Sequence, residues 1–329
     1  MKIKCCKNSL VSQSNAALLR VAFETMVLIH HLYMTYTAFG AVITNVFGPV
    51  AVGGFVFISG YGVGSRFLQK GEEYTKKLLK IRVPRTYAML LIVNLCYLVL
   101  YLATGGEFDN LFSAIISVLY LPVFGGFVAL SHWIYFLADL IIYYLLFVVF
   151  IYLFRKAKNR LLWTAVAIIM LDLIIIAVLS VVNAQTGSSR YLRACLCFPI
   201  GLMCAAFQEK LSEILNNNKL LPAICLSAIS IVAVVFFNNR SVNEYILPIF
   251  AVLALVVMLY GVNTQSRVFS YLSRLVLYVY VSHEFFLTVC SSLLSTLHRN
   301  IIGLIVFVCS MLFAIVLEFM VSKRRFGNG

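Results

Sequence analysis

Charge is what this sequence has least of. Only 12% of its 329 residues are Asp, Glu, Lys or Arg, about half the share found in soluble domains. In their place 62% are hydrophobic, and the mean hydropathy is +0.98. These values exclude a soluble globular chain and point to an all-α polytopic membrane bundle. Acidic residues are the scarcer sign, 12 against 26 basic. In a soluble chain that excess would suggest nucleic acid; among apolar spans it reads as topology, and no nucleic-acid partner is expected. The nine cysteines are odd in number, and seven (Cys96, Cys195, Cys197, Cys204, Cys225, Cys290 and Cys309) lie in or beside apolar runs. No disulfide framework and no metal-ligand spacing results. Cys195-x-Cys197 reads as helix filler, and Cys5 and Cys6 as free thiols or acylation sites. The basic start is followed by polar Asn8 to Asn15 rather than an apolar core with a cleavage site, so the first span is expected to be an uncleaved anchor.

Ten apolar runs are long enough to cross ~30 Å of hydrocarbon. They cover 17–39, 48–68, 86–104, 132–154, 161–183, 191–208, 221–238, 244–262, 275–297 and 301–322. An eleventh, 111–127, is broken by Pro122 and Gly125-Gly126 and reads as interfacial or re-entrant. With the amino terminus inside, the inner segments hold three, seven, four, two, two and three basic residues, 21 in all. The outer segments hold four, namely Arg190, Arg193, Arg240 and Arg299. That ratio follows the positive-inside rule and places both termini in the cytoplasm. With no long linker or low-complexity tail, residues 1–329 are expected to form one integral membrane domain in the lipid bilayer.

The first run carries an unusual cargo: Arg20, Glu24, His30 and His31. At ~100° per residue, His31 returns to within about 20° of Arg20, and Glu24 lies about 40° from it. These three share a stripe, with His31 roughly 16 Å along the axis from Arg20. His30 falls on another face and is expected to be a packing residue. Ionisable groups inside a span are costly and face a bundle interior or a wet cavity. A packing histidine with a snorkelling arginine is the plainer alternative.

Further stretches stand out. Gly53-Gly54-Phe-Val-Phe-Ile-Ser59-Gly60-Tyr61-Gly62-Val-Gly64 is dense in small residues. It suits either close helix packing or a polar cavity lined by Ser59. Arg82-Val-Pro-Arg85 sets two guanidinium forks three residues apart. They suit phosphate, though lipid headgroups or topology alone would also explain them. His132-Trp133-Ile-Tyr135 opens the fourth run, with Asp139 seven residues after His132 on nearly the same face. Asp139 and Asp172 are acids in apolar runs, and each must find a partner, protonate or face water. His283-Glu284 is a second intramembrane polar pair. It is suited to positioning a hydroxyl or to interhelical hydrogen bonds.

Arg20 and His31, separated by ten residues, resemble the Arg-x10-His signature of the acyltransferase-3 family of integral membrane acyltransferases. Phe57-Ile-Ser-Gly-Tyr61 resembles its Phe-x-x-Ser-Gly segment, and Arg82-x-x-Arg85 its Arg-x-x-Arg motif. His132-Trp133-Ile-Tyr135-Phe-Leu resembles its aromatic span opening. Tyr278-Val-Tyr280-Val-Ser-His283 resembles its late tyrosine-to-histidine segment. The resemblance implies transfer of an acyl group, most often acetyl, from acyl-CoA to a hydroxyl of a cell-surface or exported polysaccharide or its lipid-linked precursor. The protein would then be a multi-pass resident of the inner (plasma) membrane. It also implies catalytic roles for Arg20 and His31, with Glu24 beside them. Arg82 and Arg85, with Ser59, would serve the acetyl-CoA donor. Trp133, Tyr135, Asp139, His283 and Glu284 would meet the acceptor. This chain departs from the family in that His132 and Asp139 flank the aromatics, and an esterase-like domain of the kind fused to some members is not expected.

Acyl transfer to an alcohol needs a base for the hydroxyl proton, and an imidazole of pKa ~6.5 suits that task. His31 can equally attack the thioester and carry the acyl group covalently. Glu24 lies about 10 Å from His31 along the axis, so it can orient His31 only indirectly. Pairing with Arg20, four residues earlier, is the simpler expectation. The rival function is a transporter or flippase using the intramembrane His, Arg and Glu as a proton or substrate pathway. Against it, the chain lacks an internal repeat with paired broken helices.

Overall fold

The computed structural model describes residues 9–33, 38–103, 105–108, 110–119, 135–186, 194–237, 242–262, 265–294 and 296–326. Every regular element among them is helical. Five helices are long and apolar enough to cross a membrane: Val46–Lys70, Glu72–Ala103, Arg160–Val178, Arg267–Leu293 and Asn300–Phe319. A bent pair, Gln208–Asn217 with Leu220–Val235, makes a sixth if it counts as one span. This is the architecture of a multi-pass membrane protein. A helix lies in each of the ten runs expected from sequence, although those at Leu137–Leu153, Cys197–Ala206 and Glu244–Leu259 are short. The chain divides into two compact units, residues 1–58 with 207–329, and residues 59–206.

In the first unit, α1 (Gln13–Tyr33) begins where the Ser12 hydroxyl accepts the Asn15 backbone N–H at 3.1 Å, an orphan donor capped in the usual way. At 21 residues α1 is about 31 Å long. It packs along α12 (Arg267–Leu293), which packs along α13 (Arg299–Phe326). The Ser266 hydroxyl caps α12 by accepting the Phe269 N–H. Beside these run α9 (Gln208–Asn217), α10 (Leu220–Phe237) and α11 (Leu247–Leu259). The 104° corner between α9 and α10 is held by the Asn218 carboxamide oxygen, which accepts the N–H groups of Leu220 and Leu221. The end of α11 is a fastening point. Asn15 Nδ2 donates to Leu259 O at 2.8 Å, Tyr260 Oη donates to Asn216 Oδ1 at 3.0 Å, and Lys219 Nζ donates to Tyr260 O at 3.3 Å. Gly261, at φ 73°, then turns the chain away.

Helix α2 (Ala38–Lys70) runs through Pro49 and ends at Gly71, whose φ of 60° few other residues tolerate. In the second unit α3 (Glu72–Lys77) continues through a π-helical turn, Leu78–Arg82, into α4 (Val83–Ala103). Sequence placed this span at 86–104. The helical stretch starts earlier, at Glu72, so basic residues from Lys76 to Arg85 ride on helix. Pro84 has no N–H to give and its ring crowds the Lys80 carbonyl; the widened turn falls on these residues, with Val83 N–H reaching back to Leu78 O. The short α5 (Leu111–Val118) starts at Asn110, whose Oδ1 accepts the Ser113 N–H at 2.8 Å. It is tied to α4 by Asn94 Nδ2 donating to Val118 O at 3.0 Å. It is the helical part of the run read as interfacial; Pro122, Gly125 and Gly126 lie outside the described residues. The unit is completed by α6 (Tyr135–Leu153), α7 (Arg160–Thr186) and α8 (Cys197–Ala206). Tyr143 of α6 stacks on Phe198 of α8 and donates to Asp172 of α7 at 3.0 Å.

The glycine-rich stretch of α2 is packing surface. A Cβ on Gly54 would stand 2.2 Å from the Phe23 ring, and one on Gly48 would stand 2.7 Å from the His30 imidazole. In the second unit a Cβ on Gly60 would meet the Phe198 carbonyl, and one on Gly64 would meet Ala205. Small residues here let helices touch backbone to ring and backbone to backbone.

Candidate active site

Helices α1 and α12 bring together residues some 250 positions apart. The imidazoles of His31 and His283 lie 5.1 Å apart, centroid to centroid, tilted by 31°. His30 meets His31 edge-on at 4.9 Å, and Tyr280 meets His283 edge-on at 5.7 Å. Tyr280 continues to Phe55 and Phe55 to Phe23, an aromatic wall along one side of the cluster. Glu24 Oε1 lies 4.0 Å from His283 Nδ1. His283 is 1% exposed and Glu24 5%. His31 is half-buried.

The hydrogen bonding fixes part of the chemistry. His283 Nδ1 lies 3.3 Å from Val279 O, one turn back on its own helix. A carbonyl only accepts, so this contact puts the proton on Nδ1 and leaves Nε2 of the neutral ring as a bare acceptor. Among the described residues, Nε2 is buried without a hydrogen-bond partner, and so are both oxygens of Glu24. Three buried acceptors lacking donors in one cluster is unusual, because buried polar atoms are nearly always satisfied. An incoming O–H or N–H, or a proton, is what such a cluster lacks.

Some sequence expectations find their place here and others do not. Arg20, Glu24 and His31 share α1, as the spacing required. Arg20 is half-buried one turn before Glu24, but the hydrogen-bonded pair expected between them is not formed, since neither Glu24 oxygen has a hydrogen-bond partner. Glu24 turns toward His283 instead, a group no local spacing on α1 reveals. Among the described residues His283 makes no interhelical hydrogen bond, its Nδ1–H being spent on its own helix. Glu284 beside it is buried. His30 packs against Gly48, as a packing residue should.

The remaining candidates belong to the second unit. Ser59 is half-buried on α2. Arg82 is half-buried on the π-turn. Its Nη1 donates to Tyr74 Oη at 3.3 Å, and its guanidinium carbon stands 4.7 Å over the Tyr144 ring. Arg85, on α4, is exposed. Asp139 is buried on α6 at 4% exposure. Asp172, 1% exposed, has the partner its position demanded, Tyr143, though its Oδ2 is unsatisfied. Tyr135 begins α6, while Trp133 and His132 lie outside the described residues. Sequence reasoning missed Tyr74, Tyr143 and Tyr144. A tyrosine in a membrane chain reads as interface belt, and only the contacts reveal a polar role.

The acyltransferase-3 family model, described as an acyltransferase domain, matches residues 17–323. No curated relative and no solved structure matches the chain.

Proposed function

The chain belongs to the acyltransferase-3 family of membrane acyltransferases, and from that premise we propose that it O-acylates a glycan, with His31 at the reacting centre. The donor is acyl-CoA, most simply acetyl-CoA. The acceptor is a hydroxyl of a cell-surface or exported polysaccharide or its lipid-linked precursor. The observation that carries this reading is the cluster of unsatisfied acceptors beside His31: Nε2 of His283 and both oxygens of Glu24. A sugar hydroxyl supplies the donor this cluster lacks. His31 takes its proton as the oxygen attacks the thioester carbonyl. The C–S bond breaks, the proton passes to the departing thiolate, and an ester and free CoA result. His283, with Nδ1–H anchored to Val279 O, holds its acceptor nitrogen beside this centre. Arg20, roughly 16 Å along α1 from His31, lies toward the donor's side of the same stripe and is suited to anchoring the donor's phosphate.

Arg82 and Arg85, with Ser59, serve the donor's phosphates. Trp133, Tyr135, Asp139 and Glu284 are assigned to the acceptor side. Ten spans, both termini in the cytoplasm and residence in the inner membrane complete the proposal. The ten helix-bearing runs and the 21-to-4 distribution of basic residues support it.

Thiol release from acetyl-CoA by the protein in lipid, with and without a crude glycan acceptor, tests the reaction. Acceptor-dependent release with labelled acetyl recovered on the glycan is expected. Movement of glycan without thiol release would overturn the enzyme reading in favour of a transporter.

A further inference from the structure

Arg82 is a cation the fold has gone to some trouble to place without neutralising. Among the described residues two other guanidiniums rest on aromatic rings, and each has an acid. Arg160 stands 4.6 Å over Phe67 and pairs with Glu72 at 3.1 Å. Arg274 stands 5.3 Å over Tyr271 and lies 3.9 Å from Glu318. Arg82 stands 4.7 Å over Tyr144, donates to Tyr74 Oη, and has no carboxylate partner among the described residues. Both tyrosines are core residues, Tyr74 5% exposed and Tyr144 1%. An arginine serving only topology reaches for water; this one lies against two buried phenols. It also sits on a π-helical turn, a rare distortion frequent at functional sites.

We propose that Tyr74 and Tyr144 are positioning residues that hold the Arg82 guanidinium, unpaired, as a binding site for a phosphate-bearing anion. This deepens the proposed function and rests on its reading that the donor is acyl-CoA. The physical logic is that a phenol ring and a phenol oxygen fix the plane of the guanidinium while leaving its charge whole. A carboxylate in either place would compete with phosphate for the same N–H fork. Tyr144 supplies the plane, and its hydroxyl joins that of Tyr74 in accepting from the guanidinium, which leaves the remaining N–H groups to the ligand. The tyrosines act through Arg82, so their loss weakens donor binding more than turnover.

The test measures binding of CoA, and separately of inorganic pyrophosphate, to the protein in lipid, together with the KM for acetyl-CoA. The variants are Tyr144→Leu, Tyr144→Phe and Tyr74→Phe. Tyr144→Leu is expected to weaken both ligands about tenfold, or about 1.4 kcal/mol, within the range of a partly desolvated cation–π contact, and to raise KM in step, with kcat changed less than about twofold. Tyr144→Phe keeps the ring and is expected to lose no more than about threefold; Tyr74→Phe is expected to lose about threefold. Equal losses in Tyr144→Leu and Tyr144→Phe would overturn the proposal, as would a fall in kcat at unchanged KM, or wild-type binding in Tyr144→Leu. If wild type binds pyrophosphate in a Tyr144-dependent way but not CoA, the anion site stands and the acyl-CoA reading falls. If it binds neither, the anion site falls too.

Discussion

Adding one methyl group at Gly54 should disturb the active site through packing alone. A Cβ there would stand 2.2, 2.3 and 2.5 Å from three ring carbons of Phe23, where carbon contacts settle at about 3.5 to 4.0 Å. Relief requires the ring to retreat by more than about 1 Å. Phe23 is 0% exposed and already set edge-on to Phe55 at 5.9 Å, so the whole of α1 must shift. Overpacking of this kind costs about 1–3 kcal/mol, more than the gain of up to ~1 kcal/mol from replacing a helical glycine by alanine. Glu24 is the next residue and His31 two turns on, so the displacement reaches the imidazole pair. Gly62→Ala is the control, because a Cβ there meets nothing within 4 Å. Thermal unfolding in lipid or detergent, read beside thiol release, is the assay. Gly54→Ala should unfold several degrees below wild type and lose most activity, while Gly62→Ala should match or exceed wild-type stability and keep activity. Equal stability and activity in the two variants would refute the packing argument.

Other perturbations separate structural from chemical roles. Tyr143→Phe removes the hydrogen bond to Asp172 and leaves that buried carboxyl without its Tyr143 donor; a loss of about 1–3 kcal/mol is expected, largely recovered in the double variant Tyr143→Phe/Asp172→Leu. Glu72→Ala breaks an ion pair whose side chains are 29% and 53% exposed, so unfolding should shift by no more than about 1 kcal/mol. His283→Phe keeps a ring beside His31 but removes the acceptor nitrogen; kcat should fall at least ~100-fold with stability little changed, and unchanged kcat would remove His283 from the chemistry.

The α1 stripe was legible in sequence because helix period is local: Arg20, Glu24 and His31 needed only ~100° per residue. Glu24's neighbour was not legible, since His283 lies more than 250 residues away and no spacing connects α1 to α12. The glycine-rich run was readable as packing, but which ring fills which gap was not. Arg82 was visible as charge. The π-turn beneath it and the two phenols around it were not, because a turn widened ahead of Pro84 and a pair of buried tyrosines leave no periodic trace. The third run, read as apolar over 86–104, belongs to a longer helical stretch, Glu72–Ala103, because the basic residues before it end the apolar run without ending the helix, which continues through the π-turn ahead of Pro84.

The central claim is that His31 is the reacting imidazole. Single-turnover transfer of labelled acetyl from acetyl-CoA, compared between wild type and His31→Ala with donor binding measured in parallel, tests it most directly. The account predicts a loss of about 10²–10⁴-fold in rate with donor affinity within about twofold of wild type. Transfer at the wild-type rate by His31→Ala would contradict it.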